Sequence, residues 1–87
     1  MMSERLFTEI GTRLAAVRQA FSLAGESQKA FAERNGFEFT QWNNWEKGTR
    51  RISVDEAIKL AGLYGLTLDF IYMGRRDGLA DRASKVL

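Results

Sequence analysis

Four polar side chains between Phe39 and Lys47 share a spacing that suits hydrogen-bonded recognition of a long ligand edge. With Phe39 at 0° and a step of about 100° per residue, Thr40, Asn43, Asn44 and Lys47 fall at about 100°, 40°, 140° and 80°, and Trp42 and Trp45 at about 300° and 240°. One face of such a helix is rich in amides and hydroxyls, and the opposite face carries two indoles. Phe39 sits on the flank, as does Glu46. An asparagine amide donates and accepts at once, which matches N6 and N7 of adenine in the DNA major groove. A threonine offers a hydroxyl for a base edge and a methyl for thymine. Phe39 either makes the same methyl contact or closes the edge of the core. Lys47, one turn further, reaches a phosphate or a guanine. Phosphate contacts would fix the register and base contacts would choose the sequence. A polar outer face is also what any solvent-facing helix carries, so this one gains meaning only from its surroundings.

Those surroundings are the segment Ser27–Gly48, SQKAFAERNGFEFTQWNNWEKG, which reads as two short helices joined at Gly36. Ser27 caps the first through its side-chain oxygen. Ala30, Phe31 and Ala32 supply the buried side. Gly36 ends the helix in a left-handed conformation that a Cβ resists. The next helix covers Glu38–Lys47 and stops at Gly48. A helix gripped by two tryptophans and bare on its amide side, entered through a tight turn from a shorter helix, is a helix-turn-helix arrangement with 38–47 as the reading helix. Backbone N–H groups near Gln28 are placed to hold a phosphate. Arg50 and Arg51 are placed for the next phosphates along the strand.

The remaining elements must support that pair. A first helix runs from Ser3 or Thr8 to Phe21, with Leu6, Ile10, Leu14, Val17 and Phe21 in one apolar stripe. Ser53 and Glu56 form a capping box that opens a fourth helix to Tyr64, ended by Gly65. Thr67 caps a fifth, Leu68–Met73, ended by Gly74. Residues 75–87 are polar and mixed, with one frayed turn near Ala80–Val86. There is no proline, and strand alternation is absent. The expected fold is all-α with five helices, organised as a domain over 1–74 and a short polar tail over 75–87. Leu63, Phe70 and Met73 exceed what a small core needs. They either form a homodimer interface or pack on the first helix or on residues 75–87.

Composition narrows the chemistry. The 87 residues carry 13 basic and 11 acidic side chains, a net charge of +2, which biases the chain only weakly toward a polyanion. The local distribution is more telling: Lys47, Arg50 and Arg51 cluster with no acid among them, and Arg75–Arg76 form a second pair. Cysteine and histidine are both absent, which removes disulfides, thiolate metal sites, the commonest zinc ligand and the commonest general base. The close carboxylate pairs, Asp55/Glu56 and Asp77/Asp81, read as helix-cap chemistry and as a solvated tail. No phosphate-binding loop and no paired nucleophile and base occur. The chain is expected to be no enzyme, with no metal, no cofactor and no small-molecule ligand. No apolar run approaches the roughly 18–20 residues of a membrane span. The N-terminal MMSERLF places an acid and a base before any apolar run, unlike a signal peptide. A soluble, cytoplasmic protein is expected.

Ser27-Gln28, Phe31-Ala32, Gly36-Phe37, Trp42, Trp45-Glu46 and Lys47-Gly48, followed by Leu66-Thr67-Leu68-Asp69-Phe70-Ile71-Tyr72-Met73-Gly74, resemble the phage repressor/Cro-type helix-turn-helix family, the xenobiotic-response-element class of bacterial regulators. The resemblance covers roughly Ile10–Gly74. It implies a compact five-helix, lambda-repressor-like DNA-binding domain whose third helix lies in the major groove. It implies base contacts from Phe39, Thr40, Asn43 and Asn44. It implies phosphate contacts from Gln28 and from the loop Lys47, Thr49, Arg50 and Arg51. Members usually bind as dimers to near-palindromic operators, with half-sites about 34 Å apart. Three departures stand out. The link Ser22–Glu26 is about three residues longer than usual, and either extends the first helix or bulges outward. Asn35 stands where leucine is common. Glu38 and Phe39 stand where small polar or basic residues are common, and a carboxylate at Glu38 repels phosphate while suiting a helix N-terminus.

The leading expectation is a sequence-specific DNA-binding transcriptional regulator, a repressor acting by occupancy of a double-stranded operator. The alternative is a protein-interaction module of the same fold, such as an antitoxin or anti-regulator, which the low net charge and Glu38 favour.

Overall fold

α1 spans Thr8–Phe21 and buries Gly11, Leu14 and Val17, with Ile10 and Phe21 half-buried beside them. This is the expected stripe. Its first member, Leu6, and the alternative start at Ser3 lie outside the described residues, which are 7–87 of a computed structural model. α1 ends where Ser22 turns extended, with ψ at 147°. The long link that follows is therefore an outward turn and not an extension of the helix. Glu26 organises it. Oε1 accepts from the Leu23 N–H at 2.9 Å and from Arg34 Nη2 at 2.8 Å, and Oε2 accepts from Arg34 Nε at 2.6 Å. Hydrogen bonding to the Arg34 guanidinium is the main reason the Glu26 carboxyl titrates at about 2.

α2 spans Gln28–Arg34, and Ser27 Oγ accepts from the Ala30 N–H at 3.0 Å. Its end is a closed reversal. Gly36 sits at φ 83°, its N–H bonds Glu33 O at 3.1 Å, and the Phe37 N–H returns to Ala32 O at 2.8 Å. That pair of bonds is the Schellman pattern, which satisfies the last carbonyls of a helix and brings two apolar residues together across the turn. Here those residues are Ala32 and Phe37, both buried. Asn35 fits the reversal because its Nδ2 donates to Phe31 O at 2.8 Å.

α3 spans Phe39–Lys47, with Glu38 as its cap and not its first turn. The Glu38 carboxylate accepts from the backbone N–H groups of Thr40 at 3.0 Å and Gln41 at 2.9 Å. Gly48 closes the other end at φ 81°, with the Thr49 N–H bonded to Asn44 O at 3.1 Å. The inner faces of α2, the turn and α3 meet in one aromatic cluster. Trp42 lies 5.5 Å from Phe31, 5.1 Å from Phe37 and 5.6 Å from Trp45, ring centre to ring centre, in tilted and edge-on arrangements.

α1 crosses the end of α3 backbone to backbone. A Cβ on Gly11 would stand 2.5 Å from the carbonyl oxygens of both Trp45 and Glu46. At Gly48, where the chain leaves α3, a Cβ would stand 2.9 Å from Thr8 Cα.

Contacts divide the chain into two units, residues 1–51 and 52–87. The second holds α4, Val54–Tyr64, capped by Ser53; α5, Leu68–Met73, capped by Thr67; and α6, Asp81–Ser84. Ile52, Ala57, Leu60, Leu66, Phe70, Ile71 and Ala83 are its buried apolar side chains. The Tyr72 hydroxyl donates to Ile52 O at 2.7 Å. The frayed turn expected near the C-terminus is α6, with Ala83 buried and the Ala80 N–H bonded to Gly65 O at 2.9 Å. Among the described residues there are six helices and no strand, so the all-α expectation holds with one short helix added.

Two outcomes are expected. Gly11→Ala should destabilise the protein by up to about 2 kcal/mol in urea unfolding, because an overpacking cost of about 1–3 kcal/mol for parting two backbones outweighs the roughly 1 kcal/mol that alanine gains over glycine inside a helix. A neutral or stabilised variant would mean that α1 and α3 part freely. The second concerns Glu38, whose carboxyl the Thr40 and Gln41 N–H groups hold below its ordinary value. With the folded pKa below the unfolded one, this cap contributes in full above the unfolded value of about 4.3 and is lost as pH falls through the folded value. The stability gap between wild type and Glu38→Gln should therefore be widest near neutrality and close under acid. A gap independent of pH would remove the charge from the cap.

Candidate nucleic-acid interface

The outer face of α3 is built by default from its inner face. Trp42 is fully buried and Trp45 is 5% exposed. Residues about half a turn away on the wheel have no choice but to face outward. Thr40 and Lys47 are exposed, and Asn43, Asn44 and Phe39 are half-buried. The side-chain amide of Asn43 has no hydrogen-bond partner among the described residues, so its donor and acceptor remain available to a ligand. Asn44 is partly engaged. Its Oδ1 lies 3.5 Å from the Thr49 hydroxyl, at the limit of a hydrogen bond, which leans the amide toward the turn after α3.

That turn carries the basic residues. The Asn44 carbonyl accepts from the Thr49 N–H at 3.1 Å, the Thr49 hydroxyl at 3.2 Å and the Arg50 N–H at 3.4 Å. Thr49 and Arg50 are thereby folded back over the last turn of α3, and both are exposed. Arg51 is exposed as well, its guanidinium 5.6 Å from the ring centre of Phe7, a cation–π distance. Gln28 opens α2 and is half-buried. Residues of α2, α3 and the loop after α3 thus belong to one unit. An acidic residue also borders the face: Glu38 is exposed, with its oxygens turned to the amides of α3.

One group that the sequence left on a flank has a definite place. Glu46 Oε2 accepts from Arg18 Nε at 2.6 Å and from the Trp42 indole N–H, and Oε1 accepts from Arg18 Nη2 at 2.9 Å. Hydrogen bonding to Glu46 raises the Arg18 pKa above its ordinary value. Sequence reasoning missed Arg18 altogether. The available signal was a basic residue in the last turn of α1 next to Val17 of the buried stripe.

The three residues expected at a dimer interface divide. Phe70 is 6% exposed, so its ring is buried within the chain, as in the packing alternative, and its place among the dimer-interface residues is corrected. Leu63 and Met73 are 39% and 67% exposed. Among the described residues no cluster of three potential metal ligands occurs, and no helix is long and apolar enough to cross a membrane.

No curated protein and no solved structure matches the chain. A family model described as helix-turn-helix matches residues 14–71, which run from within α1 through the two short helices to α5. With more than half of its length matched, and with that helix pair standing as described, the chain belongs to the Cro/C1-type helix-turn-helix family of DNA-binding regulators.

Proposed function

We propose that the protein is a sequence-specific transcriptional repressor that binds a palindromic operator as a homodimer, with α3 in the major groove. The observation that carries this reading is the outward polar face Thr40, Asn43, Asn44 and Lys47, set opposite two buried tryptophans and next to an exposed basic turn. In the proposed complex Thr40, Asn43 and Asn44 read base edges, with Phe39 against a thymine methyl. Gln28, Lys47, Thr49, Arg50 and Arg51 take phosphates and set the register. Leu63 and Met73 supply apolar surface between copies, and regulation follows from occupancy of a promoter.

Selecting bound sites from a random DNA pool tests this directly. A motif with two-fold symmetry and half-sites about one helical turn apart supports it. An enriched pool with no motif would leave only non-specific binding. The second reading, a protein-interaction module, is favoured by the low net charge and by the acidic Glu38 at the start of α3. It predicts a complex whose affinity barely responds to salt, whereas binding through several phosphates weakens steeply as salt rises.

On the selected site, Asn43→Ala and Asn44→Ala should each cost about 1–3 kcal/mol and relax base choice at one position per half-site. Arg50→Ala should weaken all sequences alike and reduce the salt slope by about one. If both asparagine variants retained affinity and base preference, the reading face would be elsewhere. For the dimer, Met73→Asp should lower the mass seen by light scattering from two chains to one, with helicity unchanged. A folded variant of unchanged mass would exclude Met73 from the interface.

A further inference from the structure

The Asn43 amide has no hydrogen-bond partner among the described residues, and the Thr40 side chain bonds only the Glu38 cap of its own helix, so the direction of both depends on the rotation of α3 about its own axis. The aromatic cluster decides which face of α3 turns outward, and the fine angle is left to contacts that hold one direction. Apolar contact is non-directional, and α3 is only nine residues long. A turn of about 30° on a helix of roughly 5–6 Å outer radius swings a side-chain tip by about 3 Å. That is far more than a base-edge hydrogen bond tolerates.

From this geometry we infer that Glu46 is a positioning residue for base reading: its carboxylate, shared by Arg18 of α1 and the indole of Trp42, locks the rotation of α3. The inference rests on the DNA-reading face proposed above. Glu46 stands on the flank between the buried and the polar faces, where rotation displaces it sideways from a fixed partner. Its two oxygens meet the Arg18 fork at 2.6 Å and 2.9 Å, a bidentate arrangement that admits one orientation. The indole N–H fixes the carboxylate from within α3. The Glu46 side chain is 9% exposed, so water competes poorly for the carboxylate, while Arg18, at 21%, keeps one edge open to solvent. Gly11 holds the two backbones at contact distance, which leaves rotation as the freedom that the pair removes. An ion pair withdrawn even partly from water often adds little to stability, and its best-attested use is to select one arrangement among several. Here that arrangement decides which polar groups meet the bases.

The test uses the full chain, with Glu46→Gln and Arg18→Met as separate variants. Glu46→Gln keeps the size and an acceptor for the indole but loses the charge that holds the fork. Arg18→Met keeps the packed stem, and it serves if the first variant does not fold. Two readouts are taken under conditions where circular dichroism shows full helicity. The first is the affinity ratio between the operator selected by wild type and its single-base variants. It should fall about tenfold, within the range spanned by one lost base contact, while the salt slope stays unchanged. The second needs no DNA: residual dipolar couplings of the α3 amides relative to those of α1 should report a rotated α3. Unchanged couplings in a folded variant overturn the inference. So do altered couplings with an unchanged ratio, since rotation would then be irrelevant to reading. A wild type that ignores every DNA while the variants still rotate α3 would instead refute the DNA-reading assignment, and Glu46 would keep its role in setting the helix.

Discussion

The passage of α1 over the end of α3 is the contact on which the first unit depends. At Gly11 the missing Cβ lets the helix lie against the carbonyls of Trp45 and Glu46. No other residue type allows that distance without moving one backbone. Once the distance is set, the large rings have a defined space to fill. Phe31, Phe37, Trp42 and Trp45 fill it with edge-on and tilted contacts. Each buried ring contributes roughly 2–3 kcal/mol of hydrophobic stabilisation, which makes the cluster the main energetic support of the helix pair. The polar face of α3 adds nothing to this. It is a consequence of where the indoles go.

Each end of α3 is tied to a neighbour by a different kind of bond. At the start, the Glu38 carboxylate occupies the amides of Thr40 and Gln41. At the finish, Gly48 reverses the chain and the Asn44 carbonyl gathers three donors from Thr49 and Arg50. The basic turn is therefore joined to α3 by three hydrogen bonds and does not hang from it as a loose loop. This matters for the proposed mode of binding. Cations that take phosphates at a fixed offset from α3 convert backbone contact into register, and base contacts then act at known positions.

How far these features could be read from the residues differs from one element to the next. The helices and their ends were legible because they are local: Ser27, Ser53 and Thr67 cap as their side chains dictate, and Gly36 and Gly48 take positive φ where a reversal is needed. The two faces of α3 were legible because periodicity fixes them. The Arg18–Glu46 pair was not, since its members are far apart in sequence and either could have been a solvated surface charge. Gly11 gave a signal that went unread, because a glycine inside an otherwise helical stripe usually has a packing reason. Phe70 misled for the opposite reason. Counting large apolar residues does not say which of them α5 turns inward, and with Ile71 it supplies the buried side of a six-residue helix.

The charge distribution bears on how the proposed regulator would discriminate. Non-specific affinity grows with the number of phosphates neutralised, at a salt slope of about −0.9 per contact. One copy brings Lys47, Arg50 and Arg51 to the end of α3 and the turn after it, while Glu38 stands at the start of that helix. A net charge of +2 over the whole chain gives little long-range attraction. A single copy would therefore hold random DNA weakly, and the base contacts would supply a larger share of its binding than in a strongly basic protein. Under that balance small errors in the direction of Thr40, Asn43 and Asn44 are costly, because there is little phosphate affinity to mask them. Two copies on one operator would double the base contacts as well as the cations. That is the physical reason for placing a dimer in the proposed mechanism, and for the weight given to whatever keeps α3 from turning.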